Sequence, residues 1–392
     1  MKKGICILLI LSIFLTGCWN RRELNELAIT MAIGIDKLED EYLISAQVVV
    51  PSEFSMSGGK GSSPVTLIQA RGDTVYEALR KMVKSSSREV YPGHLRLLVI
   101  SETLAKEGIG DPLDVISRDT ELRSDFYVVV ARDTTAEEIL NIQTPLETIP
   151  AGKMFNSLKI SEENWSATTG VTLDELIVDL RSDGKEAVLT GILAKGKMEK
   201  GSSKQNVETI TPAVLIQYDE LAVFKDDKLV GWLTEDESRG YSGIINEVKN
   251  TAGTLSCPDG GKATIEVLRF KTEVKGKVKN GSPEVDINIQ IDGNVGAIEC
   301  PIDISKPESI EALEKIYEKD VEETVNHSIT SVQEKYEADI FGFGNAIHRS
   351  NPKEWNTLKN KWDEHFTDLA VNVKVDVKIR KTGTVNNSIT KK

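Results

Sequence analysis

Three stretches in the second half of the chain fix its class. Val285, Ile287, Ile289 and Ile291 alternate with Asp286, Asn288 and Gln290, the two-residue period of a strand with one buried face. Ile310, Leu313, Tyr317, Val321, Val325, Ile329, Val332 and Tyr336 then recur every three or four residues, which predicts a helix over 310–336 carrying one apolar stripe. Val371, Val373, Val375, Val377 and Ile379 alternate against Asn372, Lys374, Asp376, Lys378 and Arg380, and read as a closing strand of antiparallel type with one wet face. Trp355, Leu358 and Trp362 form a shorter helix after Pro352, a good first-turn residue. A helix stripe and half-buried sheet faces must cover one another, so this half is α+β.

The first half alternates its elements. Leu27 to Ile35 and Tyr42 to Val50 are β-rich runs joined by the polar stretch 36–41, a hairpin pattern. Asp73 or Thr74 caps a helix with Val75, Ala78, Leu79, Met82 and Val83 on one face. Strands at 95–101 and 126–131 alternate with helices at 112–117 and 135–140, which implies a layered unit with helices on a sheet. From residue 186 the pattern turns towards β, with a run at 187–195 and a hairpin of 221–225 with 229–233 about Asp226-Asp227. The polar stretch 197–206 has no periodicity and several breakers, so the expected division is an N-terminal α/β domain over 18–200, a C-terminal antiparallel-sheet domain with a long helix over 201–382, and a polar tail over 383–392.

Residues 1–17 are set apart. Lys2 and Lys3 precede an apolar run from Ile5 to Leu15, and Leu15-Thr16-Gly17-Cys18 follows: a signal peptide ending in the bacterial lipobox. The run is too short to span a bilayer, which takes roughly 20 apolar residues. Cleavage after Gly17 leaves Cys18 to carry a thioether-linked diacylglycerol and an N-palmitoyl group, and stable anchoring needs more than one acyl chain. The expected product is a globular body tethered by lipid on the extracytoplasmic face of the membrane.

Loss of the signal removes two lysines and no acid, taking the net charge from −13 to −15. Such a body lacks the Lys/Arg excess that neutralises phosphates, which excludes nucleic acid as a partner. Only Cys257 and Cys300 remain as thiols, each before a proline. The compartment permits a disulfide, but sequence leaves a bridge and two buried thiols both open.

No constellation points to catalysis or a cofactor. His94, His327, His348 and His365 lack metal-ligand spacing. Gly58-Gly59-Lys60-Gly61-Ser62 resembles a phosphate loop but has Gly61 at the Ser/Thr position and lacks the leading glycine. Glu162-Glu163 and Glu322-Glu323 are acid pairs of the kind common on solvated faces. Phe341-Gly342-Phe343-Gly344 lacks the third glycine of a dinucleotide loop and reads as a helix C-terminal turn.

Several blocks in order resemble the Ger(x)C spore-germination lipoproteins. They are residues 17–28 with Ala32-Ile33-Gly34-Ile35-Asp36, Gly93-His94-Leu95-Arg96 before Val99-Ile100-Ser101, and Arg118-Asp119 with Glu121-Leu122-Arg123. In the second half come Leu221–Lys225 with Lys228–Leu233, Ala338–Gly344, and Trp362 with the closing Val/Lys strand. The resemblance implies a non-enzymatic C subunit of a nutrient-germinant receptor in the spore inner membrane, with integral-membrane A-type and B-type subunits as partners and no cofactor. Only Cys18 transfers with a defined role; Gly231, Trp232 and Phe341 transfer as turn or core positions. The other reading from sequence is a solute-binding lipoprotein of an uptake system, which the β-dominated second half disfavours.

Overall fold

Leu27–Leu38 (β1) and Glu41–Val49 (β2) pair antiparallel through a two-residue turn in which Glu39 takes a φ of 51°. They open a chain whose computed structural model describes residues 26–54, 63–258 and 260–381. Cys18, the signal segment, the glycine-rich loop at 58–62 and the polar tail lie outside the described residues.

Val65–Gly72 (β3) joins β2, and Val75–Lys81 (α1) follows with Thr74 as cap, its side chain accepting the Glu77 N–H. Glu89–Tyr91 (β4) lies beside the start of β1. Next come Leu97–Ser101 (β5), Glu102–Glu107 (α2), Gly110–Ser117 (α3) and Tyr127–Ala131 (β6). They are followed by Ala136–Leu140 (α4), Pro150–Asn164 (α5), Leu173–Leu180 (α6) and Val188–Gly196 (β7). Val214–Lys225 (β8) and Lys228–Trp232 (β9) complete the sheet. Its order is β3-β2-β1-β5-β6-β7-β8-β9, with β4 beside β1. The central strands β1, β5, β6 and β7 run parallel. Leu98, Ile100, Val128 and Val130 face one apolar core, and Leu97, Val99, Val129 and Ala131 face another. A parallel sheet covered on both faces reads as continuous hydrophobic runs, which is how these strands read.

Glu235–Ile244 (α7) leads into a second sheet made of Thr251–Ser256 (β10), Lys262–Lys279 (β11) and Ser282–Ile298 (β12). β11 and β12 turn at Asn280-Gly281, both at positive φ, the pattern of a tight hairpin. The long helix is Pro307–Lys335 (α8), followed by Phe343–Ser350 (α9), Pro352–Leu358 (α10), Trp362–Thr367 (α11) and Ala370–Lys381 (β13). The sheet order is β10-β11-β12-β13.

Mixed α+β architecture with two sheets is as the sequence implied. Two local readings change. β13 pairs parallel with β12, not antiparallel, because four helices carry the chain back across the sheet before it enters the edge. The expected boundary at residue 200 falls inside the first sheet: β7 and β8 pair across the polar stretch at 197–206, and the chain leaves that sheet only after Trp232. Val188, Leu221 and Val223 of the first sheet share one core with the second sheet and α8, so the halves are packed as one body.

Candidate functional site

The two sheets meet where the turn after α8 enters the N-terminus of α9. Asp339 sits there, 1 % exposed. Its Oδ1 accepts the Phe343 N–H at 3.1 Å, and its Oδ2 accepts the Gly344 N–H at 2.8 Å and the Trp362 Nε1–H at 2.9 Å. Burial raises this carboxyl to about 6, although each of those hydrogen bonds pulls the other way. Gly342 holds a φ of 73°, the left-handed region that glycine enters without strain, and so lets the chain turn into the helix. The Phe341–Gly344 segment is therefore a helix start, which corrects its reading as a helix C-terminal turn: Asp339 supplies the acceptors for orphan N–H groups from outside the helix.

The same joint ties back to the first sheet. The Asp339 carbonyl accepts the Glu186 N–H at 2.8 Å, and the Gly184 carbonyl accepts the Asn345 N–H at 3.1 Å. Gly184 and Gly344 touch backbone to backbone; a Cβ on Gly344 would lie 2.7 Å from the Gly184 Cα. Lys225 Nζ donates to the Glu337 carbonyl at 3.1 Å. Glu186 Oε2 accepts the Asp226 N–H at 2.9 Å, and burial lifts its carboxyl to about 7, with Asp226 and Asp363 adding like charge. Phe341 and Phe343 stack at 5.1 Å, and Trp355 meets Trp362 edge-on at 5.2 Å beneath the joint.

A second buried acid locks α7 to α8. Glu237 completes a capping box with Thr234 and accepts from Ser331 and from Lys335 Nζ, the latter at 2.9 Å. Burial works against its charge, but those donors and the Thr234 N–H outweigh it and hold the carboxyl at about 2. His327, exposed on α8, lies 3.9 Å from the same carboxylate.

Cys257 and Cys300 are joined with Cα atoms 6.1 Å apart, linking the loop after β10 to the one after β12. Gly231 abuts the Tyr336 ring, and Trp232 lies under the Arg132 guanidinium and donates to Glu102. Phe341 is buried in the shared core. Glu162 is paired with Lys249 at 2.9 Å and accepts the Gly170 N–H. Among the described residues no three His, Cys, Asp or Glu converge to hold a metal ion, and no helix is long and apolar enough to cross a membrane. Sequence reasoning passed over Asp339 except as part of a block; the signal was an acid set three and five residues before glycines at a helix start. What this arrangement does is mechanical: the buried Asp339 carboxylate shapes the turn into α9, and backbone hydrogen bonds from that turn tie it to the 184–186 segment that enters the first sheet.

The family described as spore germination protein N-terminal domain matches residues 20–193, and the one described as spore germination B3/GerAC like, C-terminal, matches residues 219–383. This chain belongs to the GerAC family of spore germination proteins. The chain is 34 % identical to spore germination protein KC of Bacillus subtilis (strain 168), over 98 % of this chain and 97 % of that one. Spore germination protein A3 of the same organism is 28 % identical over 98 % and 99 %, and spore germination protein B3 is 27 % identical over 95 % of each. A crystal structure of the GerBC protein shares the fold at a TM-score of 0.57 and 20 % identity, covering 88 % of this chain and 96 % of that one. The family segments part between 193 and 219, yet the GerAC C-terminal segment contributes part of β8 and all of β9 to the N-terminal sheet. A role in spore germination follows from the family.

Proposed function

We propose that this GerAC chain is the non-enzymatic, lipid-anchored C subunit of a nutrient-germinant receptor. It sits on the extracytoplasmic face of the spore inner membrane beside integral-membrane A-type and B-type subunits. The observation that carries the reading is the family match along both halves of the chain, preceded directly by Leu15-Thr16-Gly17-Cys18. Diacylglycerol and N-palmitoyl chains on Cys18 supply the attachment, since two or more chains bind a bilayer stably where one does not. The rigid joint at Asp339 suits a subunit that passes a conformational change between its halves and does no chemistry itself.

Cys18→Ala tests the reading in the native organism. The expected result is a chain lost from the spore membrane fraction together with a failed response to nutrient. Normal nutrient-triggered germination with the variant soluble would overturn it.

A further inference from the structure

The described chain begins at Glu26, eight residues after Cys18. Eight residues span at most about 29 Å when fully extended, so a lipid on Cys18 keeps the start of β1 within that distance of the bilayer. β4 lies at the same end. Leu27, Ala28 and Ile29 register with Glu89, Val90 and Tyr91, and the Glu89 N–H donates to the Glu26 carbonyl at 3.0 Å. The chain that leads into β4 is therefore held beside the tether.

That chain is α1 and the turn of helix after it, over 82–84. Val75, Ala78 and Met82 are buried against the sheet. The opposite face presents Tyr76, Arg80 and Val83 at spacings of four and three, with Lys84 and Arg88 following, all of them exposed. Tyr76 is 56 % exposed and Val83 64 %, high for side chains of this kind. The Arg80 guanidinium lies 5.2 Å from the Tyr76 ring centre, and its Nε–H donates to the Tyr76 hydroxyl at 3.2 Å. Residues 80–88 hold four Lys and Arg and no acid, in a chain of net charge −13. Lys81 is paired with Glu77, and Asp119 and Glu121 act on Arg80 from a distance. Lys84 and Arg88 have no carboxylate partner among the described residues.

Long cations interleaved with an exposed tyrosine and an exposed valine suit the level of lipid headgroups, where apolar side chains sit at the acyl boundary and charged ends reach phosphates. Each Lys or Arg brought to an anionic bilayer surface strengthens attachment about fivefold. The same surface repels the acid excess of the body, so a tethered chain turns this face inward.

We infer that the face formed by Tyr76, Arg80, Val83, Lys84 and Arg88 lies against the membrane, its cations on the headgroups of anionic lipids. This orients the body, with β1 and β4 starting at the bilayer and the Glu39-Asp40 turn pointing away from it. The inference rests on the lipid anchor at Cys18 proposed above.

The test uses the full lipidated chain carrying a fluorophore at Ser87→Cys, floated with phosphatidylcholine vesicles that contain a headgroup-nitroxide lipid as quencher, with or without phosphatidylglycerol. Flotation with pure phosphatidylcholine reports the anchor alone, and its failure would overturn the anchor and this inference together. With the chain afloat, quenching at Ser87→Cys in phosphatidylglycerol vesicles is expected to exceed that of a label at Asp40→Cys severalfold, and to fall about threefold or more in about 1 M salt. Arg80→Gln with Lys84→Gln and Arg88→Gln, all exposed and so tolerated by the fold, lowers it by a similar factor. Lys262→Gln with Arg269→Gln and Lys271→Gln, exposed on β11, leaves it unchanged. Equal quenching at the two labels, quenching that survives loss of the three cations, or an equal loss in the β11 variant would each overturn the assignment.

Discussion

The indole Nε1–H of Trp362 donates to Oδ2 of Asp339 at 2.9 Å, fixing α11 to the turn that opens α9. Removal of the carboxylate strands three buried donors at once: the indole and the N–H groups of Phe343 and Gly344. Each such donor costs roughly 1–3 kcal/mol when left unpaired. Asp339→Ala is therefore expected to destabilise the chain by about 3–5 kcal/mol, read as a shift of the urea midpoint at constant slope. A loss under about 1 kcal/mol would mean the joint relaxes without it.

Glu186 gives the joint a pH dependence of unusual sign. Its carboxyl stands at about 7 in the folded chain, against an ordinary value of 4.5. The folded state therefore holds a proton that the unfolded chain has already released. The stability this group contributes is full below about pH 4.5 and is lost as pH rises towards 7. Glu186→Gln removes that loss. Relative to the parent, the variant is expected to gain stability steadily across this window, measured by urea unfolding at several pH values. Parallel curves for the two proteins would contradict it.

The bridge between Cys257 and Cys300 closes a loop with a sequence separation of 43. In the proposed lipidated form, which lacks Cys6 and carries acyl groups on Cys18, a thiol count on the denatured, unreduced chain is expected to find none, and two after reduction. Chain-entropy reasoning puts the loss on reduction, or in the Cys257→Ser/Cys300→Ser variant, at about 4 kcal/mol. Two titratable thiols before reduction would refute the pairing.

Local signals carried most of the element reading. The alternation over 285–291 became part of β12, the stripe over 310–336 became α8, and Thr135 caps α4 through a capping box with Glu138. Each is set by neighbours in sequence, which is why it was legible. β13 alternates like any half-buried strand, and alternation says nothing of direction; only the four-helix return fixes it as parallel. The polar stretch at 197–206 looked like a linker because linkers and long hairpin connections share composition, and here Gly196 and Val214 pair across it. Asp339 was invisible as a hub for a related reason: Trp362 lies 23 residues away, and nothing local announces that contact.

β13 is an edge strand, and its outward N–H groups would be open to pairing with another chain. Two glutamates one helical turn apart on α8 occupy two of them instead. Glu318 Oε1 accepts the Val377 N–H at 3.2 Å and Glu314 Oε1 accepts the Ile379 N–H at 2.8 Å. Lys315 beside Glu318 and Lys378 beside Glu314 hold the carboxylates in place, and Glu318 lies below the usual carboxylate range: burial opposes its charge, but Lys315 and the Val377 N–H outweigh it. Glu314→Ala with Glu318→Ala is expected to speed hydrogen exchange at Val377 and Ile379 while leaving the β11–β12 amides protected, at a cost of about 1–3 kcal/mol. The alanine pair frees both amides without adding bulk, so any new self-association of the variant would trace to the exposed edge. Unchanged exchange at the two amides would show that β12 and the packing of α8, not the glutamates, keep this edge closed.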